Sequence, residues 1–321
     1  MTQRASARVK QGNIFEREEK VIVMFRSSKK KYMRTRLAVA LAVVIQALWL
    51  GAARPQEPAP ARMNEEMIKQ EKIYGSRGAE IPKGYVTDRG LSDYAEILPA
   101  DFCDALGRLN SSDRWLDIGA GQGQAILDYY ALDDDAAPKK CARSISKARA
   151  VALSIEDRRT DKWRQYSATF GGDRLRYLSG RRLREYSQEE LGKFQIITDV
   201  YGGFSYTEDL SGFVERTLRL LETGGVFYTM VQNVHLENGK DKPDTAYQTV
   251  LVDAAGRDVN VCSWMKRIGC VDVGCESKGD WNAPTELIEA RKVCGDISVP
   301  RLKTVKYDAG NPPWRQFQME P

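Results

Sequence analysis

Residues 115–125 read Trp115-Leu116-Asp117-Ile118-Gly119-Ala120-Gly121-Gln122-Gly123-Gln124-Ala125. Trp115, Leu116 and Ile118 make a short apolar run, and the turn-prone Asn110-Ser111-Ser112-Asp113 bounds it upstream, so the run reads as a buried strand. Three glycines at alternate positions follow, and then Ala125, Ile126, Tyr129 and Tyr130 at helical spacing. The unit is therefore strand, glycine turn, helix. Glycine lets the backbone turn sharply and approach a ligand with no Cβ in the way. The helix start adds free N–H groups and a partial positive charge.

A dinucleotide turn has the spacing G-x-G-x-x-G, with the third glycine for close helix–strand packing. Gly119 and Gly121 fit its first two positions, but Gln124 takes the third. The spacing here is instead D-x-G-x-G-x-G, from Asp117 to Gly123. Residues 151–155 read as a second strand that ends in Glu156-Asp157. A carboxylate at that place can accept two hydrogen bonds from the paired hydroxyls of a ribose. Residues 194–199 read as a central strand with Asp199 at its C-terminal end, where the ligand crevice of an open α/β sheet lies. Tyr201-Gly202-Gly203 follows and permits close approach. Residues 214–221 read as an amphipathic helix, and residues 226–231 as a fifth strand after Gly224-Gly225.

In this order, these stretches resemble motifs I, II and IV and the fifth-strand pattern of the class I S-adenosylmethionine-dependent methyltransferases, over roughly residues 113–234. The resemblance implies an α/β fold: a doubly wound, mostly parallel seven-stranded sheet with N-terminal helices. It implies S-adenosylmethionine as cofactor, held by Asp117, Gly119, Gly121, Gly123, Glu156 and Asp199. It implies in-line methyl transfer to an unidentified acceptor, with Asp199, Tyr201 and His235 as candidates for the chemistry. The alternative is a non-catalytic binding module on the same fold. Two departures stand out. Glu156 lies 39 residues after Asp117, a distance lengthened by the polar insert at residues 132–140. Arg181 stands after the third strand, residues 175–180, where many of these proteins place an acid for the adenine amino group.

Charge and length set further bounds. Hydrophobic residues make up 42% of the 321 and charged ones 29%, the composition of a globular body. Residues 1–36 hold 11 Lys+Arg and 3 Glu, a charge of +8, against +5 for the whole chain. The remaining 285 residues therefore carry −3, and no nucleic-acid partner is expected. Residues 1–32 read as a basic tail or an over-called start, with Met24 and Met33 as other possible starts. Residues 33–53 contain a 17-residue run without charge, residues 37–53, after Arg34 and Arg36. Small residues, Gly51-Ala52-Ala53, end it, as in a signal peptide. The run is also a short membrane anchor by composition, below the ~20 residues of a usual span. The expectation is export, periplasmic or extracellular, or membrane anchoring, with a cytoplasmic body as the alternative. A proline-rich linker at residues 54–62, a helical cap at residues 63–112 broken by Pro99, and the main body at residues 113–321 complete the division.

The C-terminal part is less regular. Residues 248–252 and 258–262 suggest a hairpin, residues 270–275 a strand, residues 285–293 a helix and residues 301–307 a last strand. Asn311-Pro312-Pro313-Trp314 reads as a proline turn rather than an acceptor-binding signature, which belongs after the fourth strand. Asp133-Asp134-Asp135 reads as a solvated loop, and no metal site is expected. Of six cysteines, Cys103, Cys141, Cys262, Cys270, Cys275 and Cys294, the last four lack the C-x2-C spacing of zinc sites. With an export signal they are expected to form at least one disulfide.

Overall fold

The first strand, β1 (Arg114–Ile118), is buried on both faces. Its Trp115 faces one apolar cluster, while Leu116 and Ile118 face the other. This alternation makes β1 the middle of a sheet with helices on both sides. The computed structural model describes residues 88–131, 141, 147–232, 249–279, 285–308 and 313–321. The proposed signal or anchor, the linker, Asp133-Asp134-Asp135, His235 and Asn311-Pro312 lie outside the described residues.

Two helices precede β1: α1 (Leu91–Ile97) and α2 (Phe102–Arg108). The chain continues through α3 (Gln124–Tyr130), β2 (Arg149–Leu153), α4 (Asp161–Phe170), β3 (Leu175–Leu178), α5 (Gln188–Leu191) and β4 (Phe194–Asp199). Then come α6 (Gly203–Tyr206), α7 (Leu210–Arg219) and β5 (Leu221–Val231). The C-terminal part holds β6 (Thr249–Val252), α8 (Val261–Met265), β7 (Val271–Lys278), β8 (Thr285–Lys292), β9 (Leu302–Asp308) and β10 (Trp314–Met319).

Seven strands form one sheet in the order β3-β2-β1-β4-β5-β8-β7. The first five in that order are parallel, and β8 runs antiparallel to both β5 and β7. The strand order reverses between β1 and β4, with Asp117 beside Thr198 and Ile118 beside Asp199. This is the switch point at which open α/β sheets bind ligands. Helix α7 shows how the sequence shapes a covering element. Asp209 caps it by accepting from the Gly212 N–H at 2.9 Å, and Leu210, Val214, Thr217 and Leu218 bury one stripe.

Four sequence expectations from β5 onward change. Residues 285–293 are not a helix but β8, which is buried at Glu286, Leu287 and Ile288 in succession and fills the slot between β5 and β7. The expected hairpin becomes a turn and a helix. Val252 bridges Asp258, but Asn260 then accepts from the Ser263 N–H at 3.2 Å and starts α8. Its first strand, β6, pairs with β10 instead, and Trp314–Met319 is a further strand after the one expected to be the last. Strand β5 begins at Leu221, so Glu222-Thr223-Gly224-Gly225 belongs to it. A second sheet, in the order β6-β10-β9, results. Buried in it, Arg315 donates to Thr249 Oγ1 at 3.1 Å and to the Thr207 carbonyl at 3.0 Å.

All six cysteines pair: Cys103 with Cys141, Cys262 with Cys275, and Cys270 with Cys294. The last two bridges staple α8, β7 and the segment after β8, where regular apolar patterning is weakest.

Candidate functional site

Gly119, Gly121 and Gly123 all have positive φ, at 76°, 57° and 77°. An L side chain is strained there, so the turn needs glycine at all three places. Space imposes the same choice. A Cβ on Gly119 would stand 2.6 Å from Gly202 Cα, and one on Gly202 would stand 2.4 Å from the Ile118 carbonyl oxygen. The turns after β1 and β4 thus meet backbone against backbone. A Cβ on Gly123 would stand 2.4 Å from the Trp163 ring of α4. The Tyr177 hydroxyl ties this turn to the end of β2, donating to the Gly121 carbonyl at 2.5 Å and accepting from the Arg158 N–H at 3.2 Å.

Behind the turn lies a closed polar network. Trp115 Nε1 donates to Thr198 Oγ1 at 2.8 Å, and Thr198 Oγ1 donates to Asp117 at 2.7 Å. The Tyr94 hydroxyl of α1 sits 3.0 and 3.1 Å from the two Asp117 oxygens. Asp117 is fully buried. Burial pushes its carboxyl up to about 7, against the downward pull of the bonds from Thr198 and Tyr94. Burial, and then the neighbouring Asp117 charge, raise Tyr94 well above its ordinary range.

Asp199 is just as buried, and burial again pushes it up to about 7. Its two oxygens accept from the Gly202 and Phe204 N–H groups, each at 2.9 Å. It therefore folds the turn after β4 instead of presenting a free carboxylate. That turn holds Tyr201 at φ 54°, the left-handed region that a bulky residue rarely occupies. The Arg89 guanidinium lies 4.3 Å from the Tyr201 ring centroid.

No family model matches the chain, and no curated protein matches it. Solved structures do. Rv0187 from MTB, solved with cofactor bound, is 16% identical, with 78% of this chain and 96% of that one covered, at a TM-score of 0.39. A geranyl diphosphate methyltransferase in complex with SAM is 14% identical, with 63% and 85% covered, at 0.40. Phosphoethanolamine N-methyltransferase 2 of Haemonchus contortus, with S-adenosyl-L-methionine, is 14% identical, with 66% and 61% covered, at 0.39. The described body has the mostly parallel seven-stranded α/β sheet that the sequence resemblance implies.

In this sheet, Gly119, Gly121 and Gly123 lie on one turn, which abuts that of Asp199 and Tyr201. Glu156 follows the end of β2, next to β1, and its carboxylate meets Arg158 at 3.4 Å. Asp157 beside it is clamped by Arg159 through two bonds, at 2.8 and 2.5 Å. Of the two acids, Glu156 is held by the longer contact. Arg181 ion-pairs with Glu190 and lies 3.8 Å from the Tyr186 ring centroid. Sequence reasoning missed Tyr94, Trp163, Tyr177 and Thr198 as parts of this site. Trp163 had a signal: Thr160 caps α4 by accepting from the Trp163 N–H at 3.2 Å, and Gly171 ends that helix. Tyr94 and Thr198 had none, because their partner is distant in the chain.

Proposed function

We propose that this protein binds S-adenosylmethionine at the β1/β4 switch point and transfers its methyl group to an acceptor. The observation that carries this reading is the glycine turn after β1, whose three residues all take positive φ at the switch point where open α/β sheets bind ligands. When bound, the cofactor supplies an electrophilic sulfonium methyl group. The chain's residues then position and desolvate. Glu156 would accept from the ribose hydroxyls, and the glycine turn would admit the ligand against the backbone. Asp117, fixed by Tyr94 and Thr198, holds the end of β1 in register with β4. Asp199 is a positioning residue: by folding its turn it sets Tyr201 beside the crevice. Tyr201, on the turn after β4 with Arg89 over its ring, would meet the acceptor.

The three cysteine pairs favour a compartment that oxidises thiols, which fits export or surface attachment through residues 37–53. They also favour the second reading, a binding module, because the cofactor is made in the cytosol. Calorimetric titration of the full-length protein with S-adenosylhomocysteine separates the outcomes. Binding that is lost in a folded Gly121→Val variant supports the cofactor site. Unchanged affinity in that variant rejects it. Binding without methyl transfer to any acceptor pool supports the module.

A further inference from the structure

Each of the three strands on the β1 side of the switch point carries an arginine at its N-terminal edge. Arg114 and Arg149 are the first residues of β1 and β2 and face one another in register. Arg174 immediately precedes β3, whose Leu175 pairs with Ala150, so it stands level with Arg149. Strand spacing of about 4.8 Å makes a row roughly 10 Å long. Arg176 lies two residues further along β3 and so points to the same side. Together with Val151 and Asp173, these four arginines line a cavity of about 420 Å³.

Like charges directly opposite on neighbouring strands cost stability. Arg114, Arg174 and Arg176 are nevertheless half-buried, Arg149 is exposed, and the row is not neutralised. Arg114 donates to the Lys193 carbonyl at 3.2 Å and packs 4.5 Å from the Phe194 ring centroid. Arg176 donates to the Glu190 carbonyl at 3.3 Å, and Arg174 to the Lys147 carbonyl at 2.5 Å. Each of these guanidinium groups is oriented by a neutral oxygen, with most of its five donors left over. Arg174 Nε is buried with no hydrogen-bond partner. Among the described residues none of the four forms an ion pair, and one carboxylate, Asp173, shares the lining. Other arginines are treated differently: Arg181 is taken up by Glu190, and Arg159 by Asp157. Arg114 is held below the ordinary arginine range by burial first and then by Arg176 and Arg149.

We propose that this cavity, at the sheet edge opposite the glycine turn, binds a small molecule through a phosphate-type oxyanion. Planar guanidinium forks match the oxygens of a phosphate, and several converging forks select it over a monovalent anion. The volume lies within the roughly 300–1,000 Å³ of small-ligand pockets, which leaves room for more than the anion. The oxyanion relieves the repulsion along the row, so binding stabilises the fold. The site does not rest on cofactor binding, since β1 separates it from the turn at Gly119.

The test uses the full-length protein in thermal melts and calorimetric titrations. The probes are inorganic phosphate and the phosphomonoester glycerol 2-phosphate, against sodium chloride at matched ionic strength. Saturable binding and a raised Tm are expected. The exposed Arg149→Gln should weaken binding at least tenfold, while Arg219→Gln, a surface arginine paired with Glu215, leaves it unchanged. Tighter binding of the ester identifies an organic phosphate as the ligand, and equal binding identifies the free ion. Equal effects of chloride and phosphate, equal losses in both variants, or no saturable binding of either probe would overturn the proposal.

Discussion

Replacing Tyr94 by Phe removes one hydroxyl and keeps the ring that packs 6.3 Å from Phe102. That hydroxyl reaches both oxygens of Asp117, at 3.0 and 3.1 Å, inside a fully buried network. A hydrogen bond to a charged group contributes about 1.5–3 kcal/mol, and one between neutral groups about 0.5–1.5. Which figure applies depends on pH, because burial pushes Asp117 up to about 7. At pH 8.5 the carboxylate is mostly ionised in the wild type, and the variant should lose about 2 kcal/mol. At pH 5.5 the carboxyl is mostly protonated, and the loss should shrink to about 1 kcal/mol. The difference of about 1 kcal/mol is readable by urea denaturation of both proteins at the two pH values, with equal slopes confirming a like-for-like comparison. Because Tyr94 lowers the Asp117 pKa, the variant's carboxyl should titrate higher still. A loss that is the same at both pH values, or larger at pH 5.5, would refute the assignment of this bond to an ionising Asp117.

Two further predictions concern stability. Asp117 and Asp199 titrate higher in the fold, at about 7, than when unfolded, near 3.8. The stability they contribute is therefore complete below about pH 3.8 and is lost as pH rises to about 7. Across pH 5–7 their part of the stability curve should fall with pH, and Asp117→Asn, measured by urea melts, should flatten it; an unaltered slope counts against the buried-carboxyl account. Replacing Cys262 and Cys275 together by serine frees a 13-residue loop and should cost about 3 kcal/mol, or about 6–12 °C in Tm. A Tm within 2 °C of the wild type in calorimetry would show that this bridge constrains little.

The β-α order, the glycine turn and the two acids at the strand ends were legible because they are local. A strand, a turn that needs positive φ and a helix leave their marks within eleven consecutive residues. Glu156 and Asp199 were readable because a polar residue closing an apolar run marks a strand's C-terminal end. The direct contact of Gly119 with Gly202 was not legible, although each glycine suggested close approach. The partner is set by strand order, which no local pattern encodes. Helix and strand were confused at residues 285–293 because Leu287 and Ile288 sit together in a sheet buried on both faces. Such a run loses the clean alternation that marks a half-exposed strand. The role of Asp199 shifted for a similar reason. A carboxylate at a strand end suits a ligand or a backbone turn equally well, and the bonds to Gly202 and Phe204 decide for the turn.

Because β1, β2 and β3 all run the same way, their charges are sorted by end. Arginines gather where the strands start, and Asp117, Glu156 and, on β4, Asp199 gather where they finish. Arg114 and Ile118 are about 13 Å apart at ~3.3 Å per residue. The strands therefore carry guanidinium groups at one rim and carboxyl groups at the other, although Arg158 pairs with Glu156 there. In physiological salt the field of these charges decays over about 8 Å, so it acts mainly on molecules already near one rim. At the arginine rim it draws anions, since none of the four guanidinium groups there is ion-paired among the described residues. The contrast between the rims is also adjustable. As pH falls below about 7, Asp117 and Asp199 take up protons while the arginines keep theirs, and the negative rim fades first.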